Sequence, residues 1–272
     1  MTTKRDPWNI LYFLFLVLML AFCALPIYWI YTISIKHPVD ALSMPPSFIF
    51  TPTLDNFRTI FEEDFFSPFF NSLKTSLLAT FGTILLGAPA AYAFSRWEGR
   101  PLKNTQLWIL SPQMIPPIVV MVPFFLFWTT LHLTGTHIPL IVMLILANLP
   151  LCVWIVKGFF DDIPIDFDES GMLDGLNRVT VFFRIALPLN LSGLVAAGGF
   201  IFIQCWNEFT FSFLLTEEGN KTLPVQIAQF ITPTGTLWGQ ITAASVMATL
   251  PQIILLIFLQ KYLVRGFSMG LK

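Results

Sequence analysis

Six apolar stretches, each long enough to cross a bilayer, constrain this chain more than any other feature. They run approximately over residues 8–35, 69–95, 105–131, 138–160, 187–214 and 240–264, and a hydrocarbon core about 30 Å thick needs about 20 apolar residues per helix. Lipid offers no partner for backbone N–H and C=O groups, so each stretch is expected to be helical. Charge content agrees, with 11% of residues charged against about 25% in a soluble domain. The expected fold is an all-α polytopic membrane protein with six transmembrane helices, a single domain over residues 1–272. The first stretch is too long for a signal-peptide core and lacks a cleavage site, so it reads as a retained span.

Lys and Arg concentrate in cytoplasmic loops. With both termini inside, the inner segments hold Lys4, Arg5, Arg96, Arg100, Lys103, Lys157, Arg178, Arg184, Lys261, Arg265 and Lys272, leaving Lys36, Arg58, Lys74 and Lys221 outside. That excess places both termini, and the loop at 161–188, in the cytoplasm. Outside, prolines 38, 45, 46 and 52 prevent the first loop from forming one helix, while Asp55–Phe66 has the pattern of a short amphipathic helix. That loop is either a surface for an external partner or a simple connector.

Several spans carry polar or helix-breaking residues. Prolines 112, 116, 117 and 123 interrupt the third, and such breaks survive in lipid where protein or a wet cavity shelters the backbone. Asn148 and Pro150 repeat the theme in the fourth; they would line a translocation path or hydrogen-bond between helices. In the fifth, Gly198-Gly199 allow close helix contact, and Gln204 and Glu208, four apart, share a helical face. Glu208 is the one acid inside a span, which makes it a functional candidate. Counted from Leu187 along one helix it lies about 31 Å away, which favours an outer gate over a central ligand, with snorkelling as the plain alternative. The candidates for a path or gate are therefore Gln113, Asn148, Gln204, Trp206, Asn207 and Glu208.

Catalytic signatures are missing. There is no G-x-x-x-x-G-K-[ST] phosphate loop, no H-E-x-x-H and no G-x-S-x-G. His37, His132 and His137 are scattered at loops and span ends, and Cys23, Cys152 and Cys205 lie within apolar runs as buried small side chains. Neither a metal site nor nucleic-acid binding is expected. Without a relay of intramembrane acids or an obvious inverted repeat, a stand-alone channel or secondary transporter is the weaker alternative. Energy for transport would come from another subunit.

The cytoplasmic loop 161–188 concentrates Asp161, Asp162, Asp166, Asp168, Glu169 and Asp174, followed by Phe182, Phe183 and Ile185. A solvated connector has no use for those bulky apolar groups, whereas a docking element does. Pro164 suits the first turn of a helix with Asp162 as its cap, and Gly175 supplies the backbone that ends it. Asn177 then caps a second helix over about Arg178–Ile185, and Pro188 is expected to open the next span.

This loop resembles the E-A-A-x3-G-x9-I-x-L-P signature of inner-membrane permeases of binding-protein-dependent ABC importers. Glu169, Asp174, Gly175, Ile185, Leu187 and Pro188 match, while Ser170 and Gly171 replace the two alanines. PIYWIYTISIK, TLDNF, QMIPPIVVMVPFF, WNEF, TLPVQIAQF and the closing ATLPQIILLIFLQKYLVRGFSMGLK are similar to the carbohydrate, maltose-transporter branch of that family. The resemblance implies a heteromeric importer of a sugar or sugar derivative in the bacterial inner membrane. Its other members would be a second permease subunit, two ABC ATPase subunits carrying ATP and Mg, and a periplasmic solute-binding protein. The first helix of the loop would be the coupling helix, with Glu169 facing a basic residue of an ATPase. An importer of a non-sugar solute is the alternative within the family.

Overall fold

The computed structural model describes residues 7–97, 109, 111–233 and 235–269. Lys4, Arg5, Arg100, Lys103 and Lys272, used above for orientation and for the closing tail, lie outside the described residues. Helices α1 (Pro7–Ser34), α2 (Pro38–Ala41), α3 (Asp55–Glu62) and α4 (Phe66–Arg96) come first. A 3-10 turn at Ser111–Met114 precedes α5 (Pro117–Thr130) and α6 (Ile138–Asp161). Then follow α7 (Asp166–Leu173), α8 (Arg178–Leu189), α9 (Leu191–Trp206), α10 (Thr210–Leu215) and α11 (Leu223–Gln229). Strands β1 (Ile231–Thr232) and β2 (Gly235–Thr236) pair antiparallel before α12 (Trp238–Met269). The all-α expectation thus misses one small hairpin.

Two compact units divide the chain: residues 1–65 with 227–249, and 66–226 with 250–272. In the first, α3 is the helix expected over Asp55–Phe66, ending at Glu62 and turning Asn56 and Ile60 inward. Asn56 Nδ2 donates to the carbonyls of Ser34 (3.0 Å) and Lys36 (2.8 Å), which satisfies acceptors that the end of α1 leaves open. The Lys36 ammonium is buried, donates to the Ser47 carbonyl at 2.7 Å, and lies over the Trp29 and Phe50 rings at 5.0 and 4.7 Å. Burial of that charge is compensated by a hydrogen bond and two ring faces.

In the second unit α4, α6 and α9 pack on one another around a core of Ala79, Ala88, Leu144, Cys152, Val156 and Ile201. Small residues at the contacts let the helices approach, the packing mode available where lipid removes the hydrophobic drive. Gly198 lies against Ile84 of α4 and Gly199 against Leu259 of α12, the close approach anticipated for that pair.

Among the described residues, four helices are long and apolar enough to cross a membrane, and a fifth is obtained if α8 and α9, bent by 75°, are counted together. α5 has 14 residues, about 21 Å of helix; Pro116 is its N-cap and Pro117 its first residue, so the proline run breaks the stretch where this helix begins, while Pro123 lies within it. Of the start of the expected third span, residues 105–108 and 110 lie outside the described residues. Two expectations change. α6 passes through Pro150 unbroken, with the proline buried, so Asn148 adjoins no helix break. The fifth stretch does not run straight from Leu187 to 214: Pro188 lies inside α8, the chain bends at Asn190, and α9 stops at Trp206. The 31 Å count to Glu208 along one axis therefore does not apply.

Candidate coupling loop and translocation path

α7 starts at Asp166, two residues later than Pro164 suggested, because Phe167 N and Asp168 N bond the carbonyls of Pro164 and Ile165 in a lead-in turn. Asp162 makes no side-chain cap. The helix ends as expected. Gly175 has φ +87°; its N–H bonds the Met172 carbonyl and Leu176 N bonds that of Gly171, the paired bonds that close a helix on a left-handed glycine. Asn177 Oδ1 accepts from Thr180 N and Thr180 Oγ1, both at 2.8 Å, and caps α8. α8 goes on past Ile185 through a π-helical segment, Phe182–Ala186, to Leu189.

The family-matching residues fall into two sets. Glu169, Ser170, Asp174, Gly175 and Pro188 are exposed, while Gly171 is buried and Ile185 and Leu187 are half-buried. Gly171 supports the seam between the two loop helices, since a Cβ there would sit 2.5 Å from Ile185 Cδ1. Around Glu169, α7 leaves Ile165, Phe167 and Leu173 uncovered, the last at 88% exposure. An acid at the positive end of a helix, flanked by uncovered apolar groups, is the chemistry of a docking knob.

Beneath it is a feature sequence reasoning did not single out. Asp168 faces inward, and its Oδ2 accepts from Arg96 Nε at 2.6 Å and Tyr92 Oη at 3.0 Å. Arg96 Nη1 also donates to the Phe160 carbonyl at 3.1 Å. The Arg96 and Asp168 side chains are 10% and 5% exposed, and the Tyr92 ring packs against Phe160 and Phe182. One signal was available: Asp168 shares a helical face with Gly171, three residues on, and that face is buried.

The other candidates partly converge. Gln113, Asn148, Gln204 and Glu208, with Phe124 and Phe211, line one cavity of about 600 Å³. Asn148 is buried, donates to the Leu144 carbonyl at 2.8 Å and approaches Cys205 Sγ at 3.5 Å. Trp206 and Asn207 are not brought to this cavity. Trp206 is buried between Phe202 and Phe69, and Asn207 exchanges hydrogen bonds with Gln252 of α12. Glu208 lies in the break between α9 and α10, where its carboxylate accepts from Phe211 N (2.8 Å) and Ser212 N (3.0 Å). Ser212 Oγ donates back to the Glu208 carbonyl at 3.0 Å. From one residue ahead of the N-cap, Phe209, the acid thus satisfies first-turn N–H groups of α10 and serves as a side-chain cap. His137, ahead of α6, has its pKa lowered by burial and then by nearby Lys74, which keeps the ring neutral at pH 7. Among the described residues, no group of three His, Cys, Asp or Glu is placed to hold a metal ion.

The family model for "binding-protein-dependent transport system inner membrane component" matches residues 83–269. The chain belongs to that family. This permease is 34% identical over 98% of its length, and 97% of the relative's, to a probable ABC transporter permease protein, y4oR, of Sinorhizobium fredii. It is 32% identical to the trehalose/maltose transport system permease protein MalG of Thermococcus litoralis, over 93% of each chain. It shares its fold with a chain of a bacterial ABC transporter that imports alginate, at TM-score 0.76 and 19% identity over 96% of this permease and 99% of that chain. The family places the permease among multi-pass membrane proteins and assigns it the transmembrane part of an importer.

Glu208→Ala in this permease is expected to cost about 0.5–2 kcal/mol, the usual range for a lost helix cap, and to cut uptake severalfold, whereas Glu208→Gln retains an acceptor and most activity. Thermal unfolding in detergent and initial uptake rates measure both; equal rates in the Ala variant and the parent would remove the cap from the mechanism.

Proposed function

We propose that this chain is one of two permease subunits of an ATP-driven importer for a sugar or sugar derivative in the bacterial inner membrane. The cavity carries the reading. It places carboxamides of Gln113, Asn148 and Gln204 beside the rings of Phe124 and Phe211, which suits a solute with hydroxyls on its edges and apolar C–H faces. Its one acid, Glu208, is held by two backbone N–H groups, and the Gln113, Asn148 and Gln204 carboxamides supply neutral donors and acceptors for an uncharged solute. An amino-acid or peptide importer, the alternative, would need a charge left over. Relatives named for trehalose, trehalose/maltose and diacetylchitobiose transport support the sugar class.

Membership of the family supports the following assembly. Six crossings with both termini cytoplasmic would present α7 and α8 to the cytoplasm, where α7 would seat in one ATPase with Glu169 opposite a basic side chain. Glu169, Asp174 and the exposed apolar groups of α7 would form the contact, with Gly171, Ile185 and Leu187 keeping α7 on α8. A second permease would complete the cavity, two ATPases would supply ATP and Mg chemistry, and a periplasmic solute-binding protein would deliver the substrate. No cofactor is assigned to the chain itself.

Thermal-shift screening of the cognate binding protein identifies the solute, and uptake by proteoliposomes holding the full complex tests it. ATP-dependent accumulation of an uncharged sugar is expected. Accumulation of an amino acid and no sugar overturns the substrate class; accumulation by the permeases without ATPases overturns the importer.

A further inference from the structure

We propose that Arg96 and Asp168 form a buried tie that makes α7 move as one body with α4 and α6, and that coupling between ATP hydrolysis and transport runs through this tie. The inference rests on the proposed seating of α7 in an ATPase and goes beyond it: Glu169 makes the contact, whereas Asp168 passes the motion on. Arg96 is the last residue of α4, and its guanidinium bonds the acid of α7 through Nε and the closing turn of α6 through the Phe160 carbonyl. Tyr92, one turn earlier on α4, donates to the same carboxylate oxygen. Three elements therefore meet on one charge pair. An apolar contact would hold the fold as well or better, because desolvating two ions offsets most of their attraction. What the ions add is a single permitted geometry. If α7 slid relative to α4, a desolvated carboxylate and guanidinium would part, which makes independent motion costly. A displacement applied at Glu169 thus reaches α4 and α6 directly, without first passing through the turn at Gly175 and along α8. Arg96 and Asp168 are positioning residues.

The experiment uses the full transporter in nanodiscs, measuring ATPase subunits retained, ATP hydrolysis stimulated by loaded binding protein, and solute moved per ATP. In Asp168→Asn the ATPases are expected to co-purify in normal ratio while solute moved per ATP falls at least about tenfold. Parental coupling in that variant overturns the tie. So does loss of the ATPases, which would make Asp168 part of the docking contact. A second variant, Arg96→Cys/Asp168→Cys, replaces the ion pair with thiols; exposed Cys23 is changed to Ser, and Cys152 and Cys205 are buried. This protein is expected to be uncoupled when reduced and to regain coupling when a short bifunctional thiol reagent links the two positions. A verified link without recovery overturns the proposal. Glu169→Lys, run alongside, isolates the premise: if it keeps its ATPases, the docking reading fails independently of the tie.

Discussion

Glu169→Lys is expected to strip the ATPase subunits from the transporter and abolish uptake while the permease itself remains folded in the membrane. Two magnitudes separate these effects. Within the permease the side chain is exposed in the first turn of α7, so reversing its charge costs about 0.3–1 kcal/mol against the helix dipole. At a desolvated interface, losing one partner of an opposed charge pair costs about 2–5 kcal/mol, and a lysine facing a basic residue adds repulsion. A fall in ATPase affinity of about 30-fold or more follows. Co-purification and uptake read it directly, and ATPases retained at normal ratio with uptake intact would show that α7 docks elsewhere.

The second large effect is expected at Gly193, just past the bend where α9 begins. A Cβ there would sit 2.5 and 2.6 Å from Phe159 Cγ and Cβ, and 2.2 Å from Asn190 Oδ1. The Phe159 Cβ is fixed to the backbone of α6 and does not rotate away, so the helices must separate. Overpacking of this kind costs about 1–3 kcal/mol, more than the roughly 0.5–1 kcal/mol that alanine gains over glycine in a helix. Gly193→Ala should therefore lower the unfolding temperature, and Gly193→Leu should prevent accumulation of folded protein. A Gly193→Ala permease as stable as the parent would mean that the α6–α9 contact is looser than these distances.

The two-helix form of the 161–188 loop was legible because its determinants are local. Gly175 and Asn177 impose a stop and a start through bonds spanning three to five residues, and such chemistry is written in consecutive letters. The bend at Asn190 was not: its Nδ2 donates to the Val156 carbonyl at 3.3 Å, a contact with a different helix, and Pro188 was the stronger local cue. At the third stretch the proline run was legible as a break, and α5 begins at Pro117. For the cavity, residue type picked Gln113, Asn148, Gln204 and Glu208, while the helix end at Trp206 turned Trp206 and Asn207 elsewhere. The Arg96–Asp168 pair joins residues 72 apart; the face Asp168 shares with Gly171 hinted at the inward acid, but only packing names its partners.

The 75° angle between α8 and α9 has a mechanical consequence. A straight rod would deliver a push from the cytoplasmic face as piston travel along the span. An elbow of 75° passes about a quarter of such a push along α9, and the rest arrives as sideways swing. With Asn190 pinned to α6 at the corner, α8 and α9 have the form of a bell crank. Relative to the body formed by α4, α6 and α7, a stroke of α8 itself would appear at the far end of α9 as lateral travel, beside Gln204 and Glu208, where the cavity wall would open or close.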